Sequence, residues 1–418
     1  MNHYVTGLKC KECGTDYPEE PLHVCDVCFG PLEVEYDYEA ITRTLTQEVI
    51  THRPKNLWRY RELLPIRGEP QIGLYSGYTP LIRADHLAEA LGVHELYIKD
   101  DSVNHPTFSY KDRVVSIAIS KAIEFGFDTV SCATTGNLGN AVAAHAAKAG
   151  LHCYIFMPAD LEQGKILGSQ IYGPEIIGIT GTYDDVNRLC SEIADKYGWA
   201  FVNINVRPYY TEGAKTYGFE IAEQLGWHLP KHVILPTAGG TLLPKVYKAF
   251  EECRLLGLVP ESEQVKIYSA QASGCAPVVN AIISNSETIL PVKPNTIAKS
   301  IAIGNPADGY YAVKAVRESG GWGAAATDAE IIEGMKLLAK TEGIFTEPAG
   351  GTTVAAAKRL IEAGVIPHDE SIVIAITGNG LKTQEVIASC LPKPTVITAK
   401  LEAFDEILET KKKRETCA

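Results

Sequence analysis

From Gly77 to about residue 400 the chain alternates short apolar runs with amphipathic stretches, and this alternation restricts the fold more than any other feature. Strands are predicted at 96–99, 129–133, 152–156, 176–179, 232–235, 265–270 and 372–376. Helices are predicted around them at 114–125, 138–149, 183–197, 217–225, 243–254, 328–342 and 353–363. Parallel strands need long crossovers, and these helices supply them while covering both faces of the sheet. The expected fold is therefore α/β, with parallel sheets under helices. A chain of 418 residues exceeds one small core, so two lobes with a cleft between two sheets are expected. Residues 1–36 have a character of their own, 37–76 read as a polar, helix-prone connecting arm broken by Pro54 and Pro65, 77–400 form the main body, and 401–418 a C-terminal helix or tail.

A net charge of -12 argues against a nucleic-acid binder, which needs clustered Lys and Arg. The one basic run, Lys411 to Arg414, reads as a solvated tail. No apolar run reaches the roughly 18 residues needed to span a bilayer, so no membrane partner is expected. The first residues lack the charged and apolar regions of a secretory signal, which makes the cytoplasm the expected compartment. Eleven cysteines suit that compartment as thiols or metal ligands. Seven of them (Cys132, Cys153, Cys190, Cys253, Cys275, Cys390 and Cys417) have no ligand-like spacing and read mostly as core thiols.

The other four form two CxxC pairs, Cys10 with Cys13 and Cys25 with Cys28, separated by eleven residues. Two such knuckles present four thiolates to one metal, so the segment reads as a small zinc ribbon. Gly14 and Gly30 are expected to supply the positive φ of each knuckle. A redox CxxC is the rival reading, but it normally comes singly and beside a βαβ unit.

Lys111 lies where the turn from Pro106 to Arg113 runs straight into the predicted helix 114–125. An amine at such a junction can be partly desolvated and aimed into a cleft, as an imine-forming lysine requires. Three strand-to-helix turns follow it. Thr134-Thr135-Gly136-Asn137 offers hydroxyls and helix-start amides to a carboxylate, and the Asn137 amide to a phenolate-like oxygen, although helix capping explains the same residues. Ala238-Gly239-Gly240-Thr241-Leu242 lets backbone N–H groups close on a phosphate, without the Lys-Ser/Thr of a Walker loop. Thr377, before Gly378-Asn379-Gly380, places a hydroxyl at a strand end where a ring nitrogen could share a hydrogen bond; turn chemistry alone also explains these glycines. Together they supply the partners that pyridoxal 5'-phosphate needs.

Pro-Thr-Phe-Ser-Tyr-Lys-Asp-Arg (106–113) resembles the P-T-x-S-x-K-D-R motif of the β-family (fold-type II) pyridoxal-phosphate enzymes. Thr135-Gly136-Asn137-Leu138-Gly139-Asn140 resembles that family's S-G-N-T-G-N loop, and Glu347-Pro348-Ala349 its E-P-A segment. Thr377-Gly378-Asn379-Gly380-Leu381-Lys382 is close to the T-G-H-G-L-K of the threonine synthase family, many members of which also carry a cysteine-bearing N-terminal segment.

The resemblance implies a two-lobed enzyme with a smaller lobe at about 115–205 inserted in the larger, a homodimer, and a small amino-acid substrate. The implied reaction turns O-phospho-L-homoserine and water into L-threonine and phosphate. By the same carry-over, Lys111 holds the cofactor as an imine and serves as the shuttling base. Asn137 meets the cofactor's 3'-oxygen, Ala238, Gly239, Gly240, Thr241 and Leu242 its phosphate, and Thr377 its pyridine nitrogen. Thr134, Thr135 and Asn137 would hold the substrate carboxylate. The chain departs from the family in its Ala-Gly-Gly-Thr-Leu phosphate loop, in Asn379 where a His is frequent, and in Tyr210 where some synthases carry a substrate-phosphate arginine. Arg207 or Lys215 could compensate for the last. Rival readings are a cysteate synthase using O-phosphoserine and sulfite, a threonine dehydratase-like lyase and, from another class, a zinc-ribbon interaction protein with an inactive pyridoxal-like domain.

Overall fold

The computed structural model describes residues 3–181 and 183–416, so Cys417 lies outside the described residues. Its strands are β1 (Val5–Cys10), β2 (Asp16–Tyr17), β3 (Leu32–Tyr36), β4 (Leu81–Arg83), β5 (Leu96–Asp100), β6 (Thr129–Ala133), β7 (His152–Pro158), β8 (Glu175–Ile179), β9 (Ala200–Phe201), β10 (His232–Pro236), β11 (Lys266–Ala272), β12 (Gly323–Ala326) and β13 (Ile372–Ile376). They form three sheets, ordered β2-β1-β3, β12-β11-β10-β13-β5-β4 and β8-β7-β6-β9. The two large sheets are parallel throughout except where β4 joins β5 antiparallel, Ile82 facing Ile98.

The parallel arrangement follows from composition. β6, β10 and β13 are buried at every position, as central strands covered on both faces must be. Each of the seven predicted strands is present, 129–133 and 372–376 with unchanged bounds. The expectation missed β4, β9 and β12. They are two to four residues long, and β12 is Gly-Ala-Ala-Ala, with no β-branched or aromatic residue to mark it.

Helix Pro348–Glu362 begins five residues before its predicted start, because Pro348 supplies a preset φ in the first turn. It is buried from Pro348 to Ala357 and crosses helix Asp328–Glu342 where Gly334 meets Gly351. A Cβ on Gly334 would lie 2.5 Å from the Gly351 carbonyl oxygen, so only glycine permits that approach.

Residues 37–76 do not form a free arm. Leu57, Trp58 and Tyr60 are buried, Trp58 donates its indole N–H to Ile72 O at 2.8 Å, and Arg59 pairs with Glu223 at 2.6 Å. The chain divides into two compact units, one ending at Gln384 and one beginning at Glu385, earlier than the predicted boundary near residue 400. The second unit contains helix Leu401–Thr416. Among the described residues, no helix is long and apolar enough to cross a membrane.

Candidate active site

Lys111 opens helix Lys111–Glu124, and the preceding turn is fixed by its own polar groups. The Asp112 carboxylate accepts from Thr107 Oγ1 at 2.8 Å and Thr107 N at 3.1 Å. Tyr110 N donates to Thr377 O at 2.9 Å and Asn379 N to Phe108 O at 3.1 Å, which ties the turn to the end of β13. Arg113 anchors it from below through Asp101 (2.6 and 2.8 Å) and Glu220. Held so, Lys111 Nζ donates to Tyr210 Oη at 2.9 Å. Burial raises the Tyr210 phenol well above its ordinary pKa, so it accepts as a neutral group and does not lock the amine in an ion pair.

The Thr134–Asn137 turn joins β6 to helix Asn137–Ala149. Thr134 Oγ1 accepts from Gly136 N and Gly139 N, both at 2.9 Å, and so shapes the turn. The amides of Thr135, Asn137 and Leu138 find no partner among the described residues, which leaves donors for an anion at this helix start. Asn137 Nδ2 donates to Glu347 at 2.8 and 3.0 Å.

The turn from Ala238 to Leu242 connects β10 to helix Leu242–Leu255. Gly240 has φ +92°, and a Cβ there would lie 2.6 Å from the Asp308 backbone. Thr241 Oγ1 donates to Asp308 Oδ2 at 2.7 Å, and Arg207 pairs with the same oxygen at 2.6 Å. Burial works against the Asp308 charge, but Arg207 and Thr241 together hold its carboxyl below the usual range. The amides of Ala238, Gly239, Gly240 and Thr241 have no partner among the described residues.

These three turns and Thr377 line one cleft with Lys111, Arg207 and Tyr210. Lys215 is elsewhere, which corrects its expected part in substrate binding. It is fully buried, with Nζ 2.6 Å from Glu212 and 3.0 Å from Glu252 and the Tyr36 ring beneath it. Two carboxylates in a dry site claim that amine, a pairing its sequence position cannot reveal. Sequence reasoning also missed Asp308, which belongs to no motif, and Tyr183, whose phenol is pushed up to about 12 by burial in the cleft wall. Glu347 was visible only as part of its E-P-A segment.

In the N-terminal sheet the sulfurs of Cys10, Cys13, Cys25 and Cys28 lie within 4.8 Å of one another, with 3.4 Å between Cys10 and Cys28 and 3.6 Å between Cys13 and Cys25. Thiolates about 2.3 Å from a tetrahedral zinc would stand about 3.8 Å apart, so the set fits that ion. Gly14 has the expected positive φ, at +74°. The second knuckle differs: Phe29 takes the left-handed conformation at φ 60°, and Gly30 is needed for space, its Cβ position being 2.9 Å from Cys10 Sγ.

An anchored lysine facing a helix-start anion cradle, between two parallel sheets, defines a class of cofactor enzyme. The chain belongs to the family described as pyridoxal-phosphate dependent enzyme, whose sequence model matches residues 72–378. Within it, the threonine synthase of Methanosarcina acetivorans is 38% identical over 409 residues, covering 97% of this chain and 99% of that protein. The threonine synthase of Methanocaldococcus jannaschii is 37% identical over 405 residues, covering 96% and 99%. Among solved structures, maize serine racemase superposes with a TM-score of 0.63 at 21% identity, over 76% of this chain and 92% of that one, and shares the fold. The cleft fits the family's cofactor: the four unpartnered amides from Ala238 to Thr241 suit a phosphate, and Lys111 Nζ faces the same space.

Proposed function

We propose that this protein is a threonine synthase, converting O-phospho-L-homoserine and water into L-threonine and phosphate. The observation that carries the reading is the convergence of Lys111 Nζ, the Ala238–Thr241 amides and Thr377 on one cleft, in a chain alike over nearly its full length to proteins named threonine synthase.

When bound, pyridoxal phosphate supplies an electron sink for negative charge at the substrate's Cα. Lys111 would hold the cofactor, and its amine, when free, would accept the Cα proton at Nζ. Tyr210, neutral and 2.9 Å away, keeps that amine oriented. The amides of Ala238, Gly239, Gly240 and Thr241 would hold the cofactor phosphate at the positive end of helix Leu242–Leu255, which Leu242 opens. Thr377 would meet the pyridine nitrogen and Asn137 the 3'-oxygen. The free amides of Thr135, Asn137 and Leu138 receive the substrate carboxylate. Arg207 serves the cofactor end of the cleft, because Asp308 already engages it. The cysteine cluster binds a structural zinc ion, and family resemblance supports a homodimer.

Purified enzyme is expected to release phosphate from phosphohomoserine and not from phosphoserine; release from phosphoserine alone overturns the substrate assignment. Lys111→Ala is expected to abolish both turnover and the visible absorbance of the lysine-bound cofactor. An unaltered spectrum in that variant removes Lys111 from its role.

A further inference from the structure

The Asn137 amide is gripped at both ends. Nδ2 donates to Glu347 Oε1 at 2.8 Å and Oε2 at 3.0 Å, and Oδ1 accepts from Lys382 Nζ at 3.1 Å. A carboxylate only accepts and an ammonium only donates, so both partners dictate one orientation of the amide. The three residues come from separate elements: Asn137 starts its helix, Glu347 precedes helix Pro348–Glu362, and Lys382 sits in the 3-10 turn Gly380–Thr383 after β13. Asn137 and Glu347 line the cleft; Lys382 stands behind them.

Lys382 is not a surface lysine that happens to reach inward. Its backbone carbonyl packs against Gly164, where a Cβ would come within 2.8 Å, and this fixes the stem of the side chain. Withdrawal from water lowers its pKa to about 8, with Asp112 and Glu347 pulling the other way and Lys165 adding to the depression.

We propose that Lys382 is a positioning residue for the cofactor: it holds Asn137 Oδ1 so that Nδ2 stays turned into the cleft. An amide nitrogen carries two hydrogens, one satisfying Glu347 and the second serving the phenolic oxygen of pyridoxal phosphate. Turned over, the amide would present a carbonyl lone pair to that oxygen, replacing a donor by a repulsion. The proposal rests on the reading that Asn137 meets the phenolic oxygen.

The test is a double-mutant cycle on the cofactor dissociation constant and on the pH titration of the bound cofactor's visible absorbance. Lys382→Met is expected to weaken cofactor binding about tenfold and to move the titration midpoint, as losing one oriented hydrogen bond does. Lys382→Arg should restore affinity to within about twofold, since it still only donates. In an Asn137→Ala background Lys382→Met should add nothing. Wild-type affinity and titration in Lys382→Met, or an equal loss in both backgrounds, overturns the proposal. If Asn137→Ala is itself silent, the reading of the Asn137 contact fails and the proposal with it. Should the methionine variant not fold, Lys382→Gln enters the same cycle; it permits either amide orientation and is expected to cost about threefold.

Discussion

Arg113 lies two positions after Lys111 and does not line the cleft. It is buried between Asp101 and Glu220, with Lys99 at 2.7 Å from the same Glu220. Burial alone would push the Glu220 carboxyl up, but Arg113 and Lys99 outweigh it and hold the pKa at about 2. The Lys99 ammonium is lowered as well, because burial takes more from its charge than Glu220 returns. The carboxylate faces two cations, so its direction governs the acid limb. With a folded pKa below the unfolded one, its contribution is present above about pH 4.5 and is lost as pH falls toward about 2. Glu220→Gln is expected to lower stability by about 3–5 kcal/mol at neutral pH, because Lys99 loses its carboxylate and Arg113 one of two, and to flatten the acid limb of a thermal-melt series. A melting temperature within error of wild type would show the cluster to be dispensable. The motif around Lys111 is legible as chemistry in the sequence, yet half of its residues serve to seat the turn, a division that only burial and partners reveal.

At the scale of the element, the turn after β10 shows how two adjacent glycines differ. Gly240 holds φ +92° against the Asp308 backbone, whereas a Cβ on Gly239 would meet nothing within 4 Å. Gly240→Ala is expected to lower both the melting temperature of the apoprotein and its cofactor affinity, the latter by about tenfold or more. Gly239→Ala should leave the apoprotein melting temperature unchanged and weaken only the cofactor, because the new methyl would stand before the amides proposed to bind its phosphate. Equal behaviour of the two variants in both measurements contradicts this division. The sequence places a phosphate turn here, but nothing in Ala-Gly-Gly-Thr-Leu distinguishes the glycine that must pack from the one that must leave room.

At the scale of the whole molecule, the cysteine-bearing sheet braces the turn after β10 from two sides. Glu33 on β3 pairs with Lys245, and with Lys248 at 3.4 Å, both on the helix that follows the turn. Glu12, between the first two cysteines, accepts from the Tyr311 hydroxyl, on the helix that begins beside Asp308. A ribbon this small would depend on the proposed zinc ion for folding. Chelating the proposed zinc ion from the intact protein is expected to weaken cofactor binding several-fold, read by cofactor titration alongside metal content, with Tyr311→Phe giving a smaller loss at full metal content. Undiminished affinity in metal-free protein would show that the brace stands without it.

The periodicity of apolar residues determined the parallel α/β body, because strands buried on both faces must be apolar throughout, and motif spacing determined the cysteine cluster and the turns around the cleft. Local sequence carries such information since hydrophobic period and turn chemistry act over a few residues. The tertiary structure alone decided which partners the charged side chains meet: Lys215 with Glu212 and Glu252, Arg207 with Asp308, Lys382 with the Asn137 amide. Those pairs join residues up to 245 positions apart, and long side chains choose partners by proximity in the folded state, where desolvation makes an unmatched charge costly.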